Sequence, residues 1–207
     1  MHTHTKHSAA RKLVPATALL AGLALFAACG SSSSGPKATS GGSSPSAAAA
    51  PASAHNAADI TFATDMIPHH SQAVEMADMA LKAATDAEIK SLATAIKAAQ
   101  DPEIVKLNGW LKAWNAPAPT TGMSMNGMSM NGMMSDAEMS SLGKATGKAF
   151  DTMWVSMMTR HHEGAIDMAN TELTSGQNYD AKALAQKIIT GQTAEVAHMK
   201  KIAKRLA

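Results

Sequence analysis

The chain has 207 residues, of which 45% are hydrophobic, and its formal net charge is +2. The single cysteine excludes a disulfide bond within the chain, and the nearly balanced charge lacks the basic field typical of nucleic-acid-binding proteins. No phosphate-binding loop, Ser-His-Asp array, paired catalytic acids or motif for an organic cofactor stands out, so the sequence does not favour an enzyme.

Residues 1–28 are predicted to be a signal peptide of the lipoprotein type. A positively charged start is followed by an apolar run, residues 13–28, which is too short to span a bilayer. Cys29 follows small residues in a pattern that resembles a bacterial lipobox, in which the thiol is acylated and the chain is cleaved just before it. Phe26 departs from the usual Leu of that pattern. The alternative is a stray cysteine in a signal peptide. On the first interpretation, Cys29 anchors the protein in the cell membrane, facing its extracytoplasmic side.

Residues 29–58 predict a disordered tether, because a stretch of Ser, Ala, Gly and Pro buries too little apolar surface to offset the entropy of ordering. Cleavage before this tether removes three basic residues and none of the 16 acidic ones, which leaves a net charge near −1. The basic isoelectric point therefore belongs to the precursor.

The first folded segment, residues 59–114, predicts two helices joined by a short turn at residues 84–86. Apolar residues recur along both halves at steps of three and four, which is the period of one helix face. Asp59 is a plausible N-cap of the first helix. Pro68 lies in that helix and predicts either a kink or a helix that starts near it.

A methionine-rich linker, residues 115–135, comes next. From residue 123 to residue 134, six residues are methionine: Met123, Met125, Met128, Met130, Met133 and Met134. Their Gly, Asn and Ser neighbours favour neither helix nor strand, so burial in a core does not explain them. Thioether sulfur is a soft ligand that suits Cu(I), and outside the cell it survives where a free thiol would oxidise. The alternatives are a low-complexity linker and an adaptable contact surface.

A capping-box pattern from Ser135 to Glu138 then predicts a short extra helix, which Gly143 and Gly147 separate from a second hairpin. This second hairpin, residues 151–206, repeats the first without a gap at an offset of 92 residues. Two hairpins that each carry apolar stripes must bury those stripes on each other. We therefore expect an all-α four-helix bundle over residues 59–207.

The repeated unit carries a specific signature. The pattern Met-x-x-His-His-x-x-Ala-x-x-Met-Ala occupies residues 66–77 and recurs at residues 158–169, and a Gln-x-x-Glu step follows each copy. In this pattern, residues 59–206 resemble the domain of unknown function 305 family. The resemblance implies a ferritin-like fold and an exported protein. Because some members are linked to copper, it also implies copper binding.

The histidines of this signature are the least expected residues in a bundle core. His69 and His161 fall on the apolar stripes, with His70 and His162 beside them. In each hairpin, the Gln-x-x-Glu step lies roughly 21–25 Å from the turn, about level with the histidines. We call the resulting group the histidine layer: His69, His70, Gln100, Glu103, His161, His162, Gln192 and Glu195.

Two interpretations of the histidine layer stay open. It is a structural network in which the glutamates accept hydrogen bonds from imidazoles, or it is a site for Cu(II) or another divalent metal. Met66 and Met158, on the same stripes, join the candidate ligands, as does His198, which forms a Glu-x-x-His step with Glu195. A ferritin-type di-iron site is disfavoured, because Lys106 replaces the histidine of the equivalent step in the first hairpin.

The sequence thus favours an exported, lipid-anchored metal-binding protein that captures, buffers or hands over copper. The alternative is a metal-free helical interaction module at the cell surface, and a ferritin-like redox enzyme fits less well. The expected partners are metal ions and, through the lipid, the membrane. The sequence indicates neither a protein partner nor an oligomeric state.

Overall fold

Helices account for most of the chain that the computed structural model describes, which is residues 54–117, 119 and 131–207. These residues belong to one compact unit, and the prediction of an all-α fold is confirmed. No helix among them is long and apolar enough to cross a bilayer. The predicted signal peptide and most of the tether lie outside the described residues, as do five candidate site residues: Cys29, Met123, Met125, Met128 and Met130.

Two long hairpins form the bundle. Helices α1 (Ala57–Ala83) and α2 (Ala87–Ala113) make the first hairpin, and a short helix, α3 (Asp136–Lys144), precedes the second one, made of α4 (Gly147–Ser175) and α5 (Tyr179–Leu206). Each helix packs along its hairpin partner, and α1 also packs along α4. By contrast, α2 and α5 touch at few positions. The interface between the hairpins is therefore made mainly by α1 and α4.

The start of α1 differs from the prediction. Asn56 is the N-cap, because its side chain accepts hydrogen bonds from the N–H groups of Ala58 and Asp59. Asp59, the predicted N-cap, lies three residues further on, where its carboxylate accepts a hydrogen bond from the N–H of Asn56 and completes a capping box. The helix continues through Pro68, so it does not start there.

The short helix α3 begins with the predicted capping box of Ser135 and Glu138. It continues through Gly143, so this glycine does not separate it from α4 as expected. The break falls at residues 145–146, and Gly147 opens α4 with a φ of 56°, a value that favours glycine.

A polar layer divides the apolar core into two clusters. One cluster lies toward the α1–α2 turn and includes Met76, Ile96, Trp154 and Met199. The other lies toward the α4–α5 turn and includes Phe62, Leu107, Ala169 and Leu184. Because the first half of α1 shares a cluster with the second half of α4, these two helices run antiparallel. The repeat therefore brings the middle of each helix to the same level.

Two buried aspartates tie each hairpin to the turn of the other. Asp151, near the start of α4, accepts hydrogen bonds from the backbone N–H groups of Thr85 and Asp86 in the α1–α2 turn, at 3.0 and 3.1 Å. Asp59 does the same for the backbone of Gln177 and Asn178 in the α4–α5 turn. These bonds satisfy donors at the N-termini of α2 and α5 and hold the bundle together at both ends.

Candidate metal site

The histidine layer occupies the gap between the two core clusters. Its four histidines, on α1 and α4, are each at most 1% exposed. Gln100, Gln192 and Glu103 are also buried, on α2 and α5, and only Glu195 is half-buried. Burying this much polarity between apolar clusters is costly unless the groups are paired, so their hydrogen bonds decide what the layer can do.

The glutamates pair with the second histidine of each doublet. Nε2 of His70 lies 2.9 Å from a carboxylate oxygen of Glu103, and Nε2 of His162 lies 2.8 Å from a carboxylate oxygen of Glu195. Since a carboxylate only accepts, each ring carries its proton on Nε2 and donates it. Depth along the helices left open which histidine of each doublet meets the glutamate, and the structure selects His70 and His162.

The two pairs differ in their surroundings. Lys187 of α5 contacts the second oxygen of Glu103 at 3.1 Å. Burial raises the pKa of Glu103, but the hydrogen bonds from His70 and Lys187 and the charge of Lys187 outweigh it, so the pKa lies below its usual value. In the described part of the chain, Glu195 forms a hydrogen bond and ion pair with His162 alone, and its side chain is 22% exposed against 8% for Glu103.

The first histidines of the two doublets meet at the α1–α4 interface. The ring centroids of His69 and His161 lie 3.8 Å apart, with the planes tilted by 41°. Burial lowers the pKa of His69 to about 3 and that of His161 well below its usual value, and the neighbouring histidines lower both further. Both rings are therefore neutral at pH 7, which is the form that ligates metal.

Several nitrogens in the layer have no hydrogen-bond partner. Five buried imidazole nitrogens are unpaired: Nδ1 of His69, His70, His161 and His162, and Nε2 of His161. The Oε1 atoms of Gln100 and Gln192 are unpaired too. Most buried polar atoms in proteins are satisfied, so such a concentration calls for a ligand or bound water. Among the described residues, no three or more His, Cys, Asp or Glu side chains are arranged to hold a metal as they stand.

The end of the methionine-rich linker docks on this layer. The carbonyl of Asn131 accepts a hydrogen bond from Nε2 of His69 at 3.2 Å. Gln72, one turn below on α1, accepts from the N–H of Met134 at 2.7 Å and donates to its carbonyl at 2.8 Å. Helical periodicity did not predict these contacts. The sequence signal that could have indicated them is a difference between the two repeats, because Gln72 and its repeat equivalent Gly164 are unrelated residue types.

The remaining candidates fall in different places. Met66 and Met158 are fully buried one turn before the histidines, in opposite core clusters. Met134 is buried, with its sulfur 2.8 Å from the guanidinium of Arg160, and Met133 is half-buried. His198 is not brought into the layer. It pairs with Glu88 at 2.6 Å on the bundle surface.

A family model supports the likeness of the repeat to known proteins. The model describes a domain of unknown function (DUF305) and matches residues 59–203. A crystal structure of a DUF305 protein from Streptomyces coelicolor, named as a secreted protein, is 34% identical to this chain. The likeness covers 72% of this chain and 93% of that one, with a TM-score of 0.66. No protein with curated annotation matches the sequence.

Two further similar structures are of a protein called CopM in copper-bound forms. The Cu(I)-bound form is 30% identical, with 71% of this chain and 96% of that one covered and a TM-score of 0.59. The Cu(II)-bound form is also 30% identical, with 72% and 97% covered and a TM-score of 0.60. The likeness therefore spans nearly the whole of CopM.

Proposed function

We propose that this chain, which belongs to the DUF305 family, is an exported protein that binds copper in order to capture, buffer or hand it over. One observation carries the proposal. Three of the four buried histidines donate their Nε2 proton to an oxygen acceptor and keep an unpaired Nδ1: His69, His70 and His162. In metal sites, a ligating imidazole typically donates its other N–H to a carboxylate or carbonyl, which fixes the tautomer.

This arrangement favours different roles for the glutamates and the histidines of the layer. Glu103 and Glu195, which the sequence analysis took as ligands, act as orienting partners of His70 and His162, while the Nδ1 atoms supply the lone pairs. Imidazole nitrogen suits Cu(II), and the neutral rings of His69 and His161 need lose no proton to bind it. Buried Glu103, whose pKa lies below its usual value, also keeps negative charge beside an incoming cation.

The methionine-rich linker supports a second kind of ligation. Its thioethers are soft donors for Cu(I), while the layer offers harder nitrogen and oxygen donors. The described end of the linker, residues 131–134, docks against His69 and so adjoins the layer. The likeness to CopM, which has been observed in Cu(I)-bound, Cu(II)-bound and Ag-bound forms, supports copper as a metal that this fold binds.

Export and lipid anchoring are part of the proposal. The related Streptomyces coelicolor protein is named as secreted, and the present sequence begins with a predicted lipoprotein signal peptide. Acylation of Cys29 would keep the bundle at the membrane on a flexible tether. Mass spectrometry of the membrane fraction checks this, since the expected mature chain begins at Cys29 and carries lipid. A soluble chain with an unmodified Cys29 would contradict it.

The competing function is a metal-free helical interaction module. It is favoured by the two His–Glu pairs, which make a plausible structural network, and by the lack of a preformed ligand group among the described residues. On this view, the unpaired nitrogens hydrogen-bond to buried water. Copper titrations separate the two functions.

The deciding experiment titrates Cu(I) and Cu(II) separately against competing chelators. One variant replaces the six methionines from 123 to 134 with Leu, which keeps volume and apolarity but removes sulfur. We expect its Cu(I) affinity to fall at least about tenfold and its Cu(II) affinity to change little. A second variant, His70→Gln with His162→Gln, should show the reverse pattern.

The melting temperature of each variant serves as the control for folding. Unchanged Cu(I) affinity in the methionine variant would make the linker a spacer or contact surface. If the histidine variant also binds Cu(II) as the parent does, the metal-free module becomes the better account.

A further inference from the structure

Residues 131–134 make an unusually close approach to the histidine layer. The carbonyl of Asn131 accepts the Nε2 proton of His69 at 3.2 Å, while the Nδ2 amide of the same residue donates to Asp167 of α4 at 2.6 Å. Gln72 of α1 holds the backbone of Met134 through two hydrogen bonds. The segment is thus fixed to both helices that carry the histidines.

Glycine makes this approach possible. A Cβ atom at Gly164 would lie 2.1 Å from the carbonyl oxygen of Asn131 and 2.8 Å from Cα of Gly132, far inside contact distance. Gly132 itself has a φ of 83°, which side-chain-bearing residues rarely adopt. Two glycines therefore face each other where the segment crosses α4. Other residues at these positions would push the Asn131 carbonyl away from His69.

The repeat shows what this contact adds. His161 is the equivalent of His69 and lies against it, yet neither of its ring nitrogens makes a well-formed hydrogen bond in the described part of the chain, where only the backbone of His69 opposes the lowering of its pKa. No hydrogen bond as well formed as that of His69 fixes which nitrogen of His161 carries the proton. The Asn131 carbonyl accordingly distinguishes two rings that the sequence repeat makes equivalent.

We propose that residues 131–134 are a positioning element of the histidine layer. The Asn131 carbonyl holds the proton of His69 on Nε2 and so presents Nδ1 as the lone-pair donor. The role of this donor in copper binding rests on the function proposed above. Asn131, Gly164 and Gln72 are positioning residues, because none of them supplies a ligand.

The test compares two identical substitutions. Gly164→Ala adds a methyl group against the Asn131 backbone, whereas Gly109→Ala adds one in mid-helix on α2 with nothing within 4 Å. Both gain similar helix propensity, so they differ in the contact alone. The first readout is the tautomer of His69 in metal-free protein, from its ring 15N chemical shifts. The second is Cu(II) affinity.

We expect the parent and Gly109→Ala to keep the proton of His69 on Nε2. Gly164→Ala should lose this preference and bind Cu(II) about 10-fold to 100-fold more weakly, as is typical when a partner that orients a metal-bound histidine is lost. Asp167→Ala, an exposed change that removes the anchor of the Asn131 side chain, should act in the same direction with a smaller effect. It provides the test if Gly164→Ala does not fold.

A retained Nε2 tautomer in both Gly164→Ala and Asp167→Ala would overturn the proposal, as would equal changes in Gly109→Ala. A changed tautomer with unchanged Cu(II) affinity would overturn the role in copper binding. If the parent binds no copper in the layer, the proposed function fails, but the tautomer still decides whether residues 131–134 position His69.

Discussion

Hairpins α1–α2 and α4–α5 are copies of one sequence unit, but they differ in residues at the histidine layer and at the ends of the bundle. They share the residues that build the frame: the histidine doublets, the Gln-x-x-Glu steps, and the aspartates that cap the opposite turn. Among the many positions at which the two copies differ, three pairs bear on the polar layer and the bundle ends: Gln72 and Gly164, Ala80 and Glu172, and Ala95 and Lys187.

Each difference has a local physical consequence. The first pair holds residues 131–134 against one side of the layer. Glu172 places a buried carboxyl group beside Asp59, and Lys187 places a cation on Glu103 but leaves Glu195 without one among the described residues. The residues that the two hairpins share therefore determine the architecture. The residues that differ make the two ends of the bundle, and the two His–Glu pairs, chemically distinct.

The largest expected effect tests what the hairpins share. Asp151→Ala removes a buried carboxylate that accepts hydrogen bonds from two backbone N–H groups and the hydroxyl of Thr85. We expect the free energy of unfolding to fall by about 3 kcal/mol, because three hydrogen bonds to a buried charged group are lost together. Asp59→Ala should cost nearly as much. Urea unfolding measures both, and a loss below about 1 kcal/mol would contradict the capping role.

Acid should reveal the buried histidines. The folded-state pKa of His69 is lowered to about 3 from 6.5, so the unfolded chain takes up a proton first and stability falls as pH drops below 6.5. Between pH 6.5 and pH 5, His69 alone should account for about 2 kcal/mol. His69→Gln should therefore lose less stability than the parent over this range. Equal losses in urea unfolding would show that the ring is not buried neutral.

Alkali should distinguish the two ends of the bundle. Burial, and then the neighbouring Asp59, raise the pKa of Glu172 to about 8 from 4.5. Its contribution is fully present below pH 4.5 and is lost as pH rises through 8. Glu172→Gln should hence be more stable than the parent at pH 8.5, by on the order of 1–2 kcal/mol. Glu75→Gln, an exposed change on α1, is the control, and an equal pH dependence in all three proteins would contradict the pKa assignment.

The smallest expected effect concerns the two His–Glu pairs. Lys187 is 68% exposed, so Lys187→Met should lower stability by only about 0.5 kcal/mol. It should also raise the pKa of Glu103, which the lysine now helps to lower. Ala95→Lys, at the repeat-related position, should give Glu195 a similar cationic partner and raise stability by a comparable amount. Carboxyl 13C titration follows Glu103 and urea unfolding follows both variants, and no change in either measurement would mean that Lys187 does not distinguish the pairs.

Much of this fold was predictable because the sequence contains two copies of the same hairpin pattern. Helical periodicity and the offset of 92 residues predict two hairpins, and equal depth from each turn predicts a polar layer at mid-height. The turn caps could also have been found, because Asp59 and Asp151 share this offset with the turns at Thr85 and Gln177. The N-cap prediction for Asp59 went wrong because Asn56 lies just before it and starts the helix earlier.

The finer structure of the site was not predictable in the same way. Adjacent histidines differ by only about 100° around a helix, so depth alone could not decide whether His69 or His70 meets Glu103. The approach of Asn131 depends on a loop path that has no period. The sequence feature that indicates it is the difference between Gln72 and Gly164 at equivalent positions of the two repeats, and helical periodicity gives such a difference no weight.

X-ray absorption spectroscopy of the copper-loaded protein tests the central claim most directly. The account predicts imidazole nitrogen around Cu(II), lost in His70→Gln with His162→Gln, and sulfur around Cu(I), lost when the six methionines become Leu. Both variants should have the melting temperature of the parent in their metal-free forms, which shows that they are folded. A Cu(II) spectrum without imidazole scattering, together with a Cu(I) spectrum without sulfur, would contradict the account.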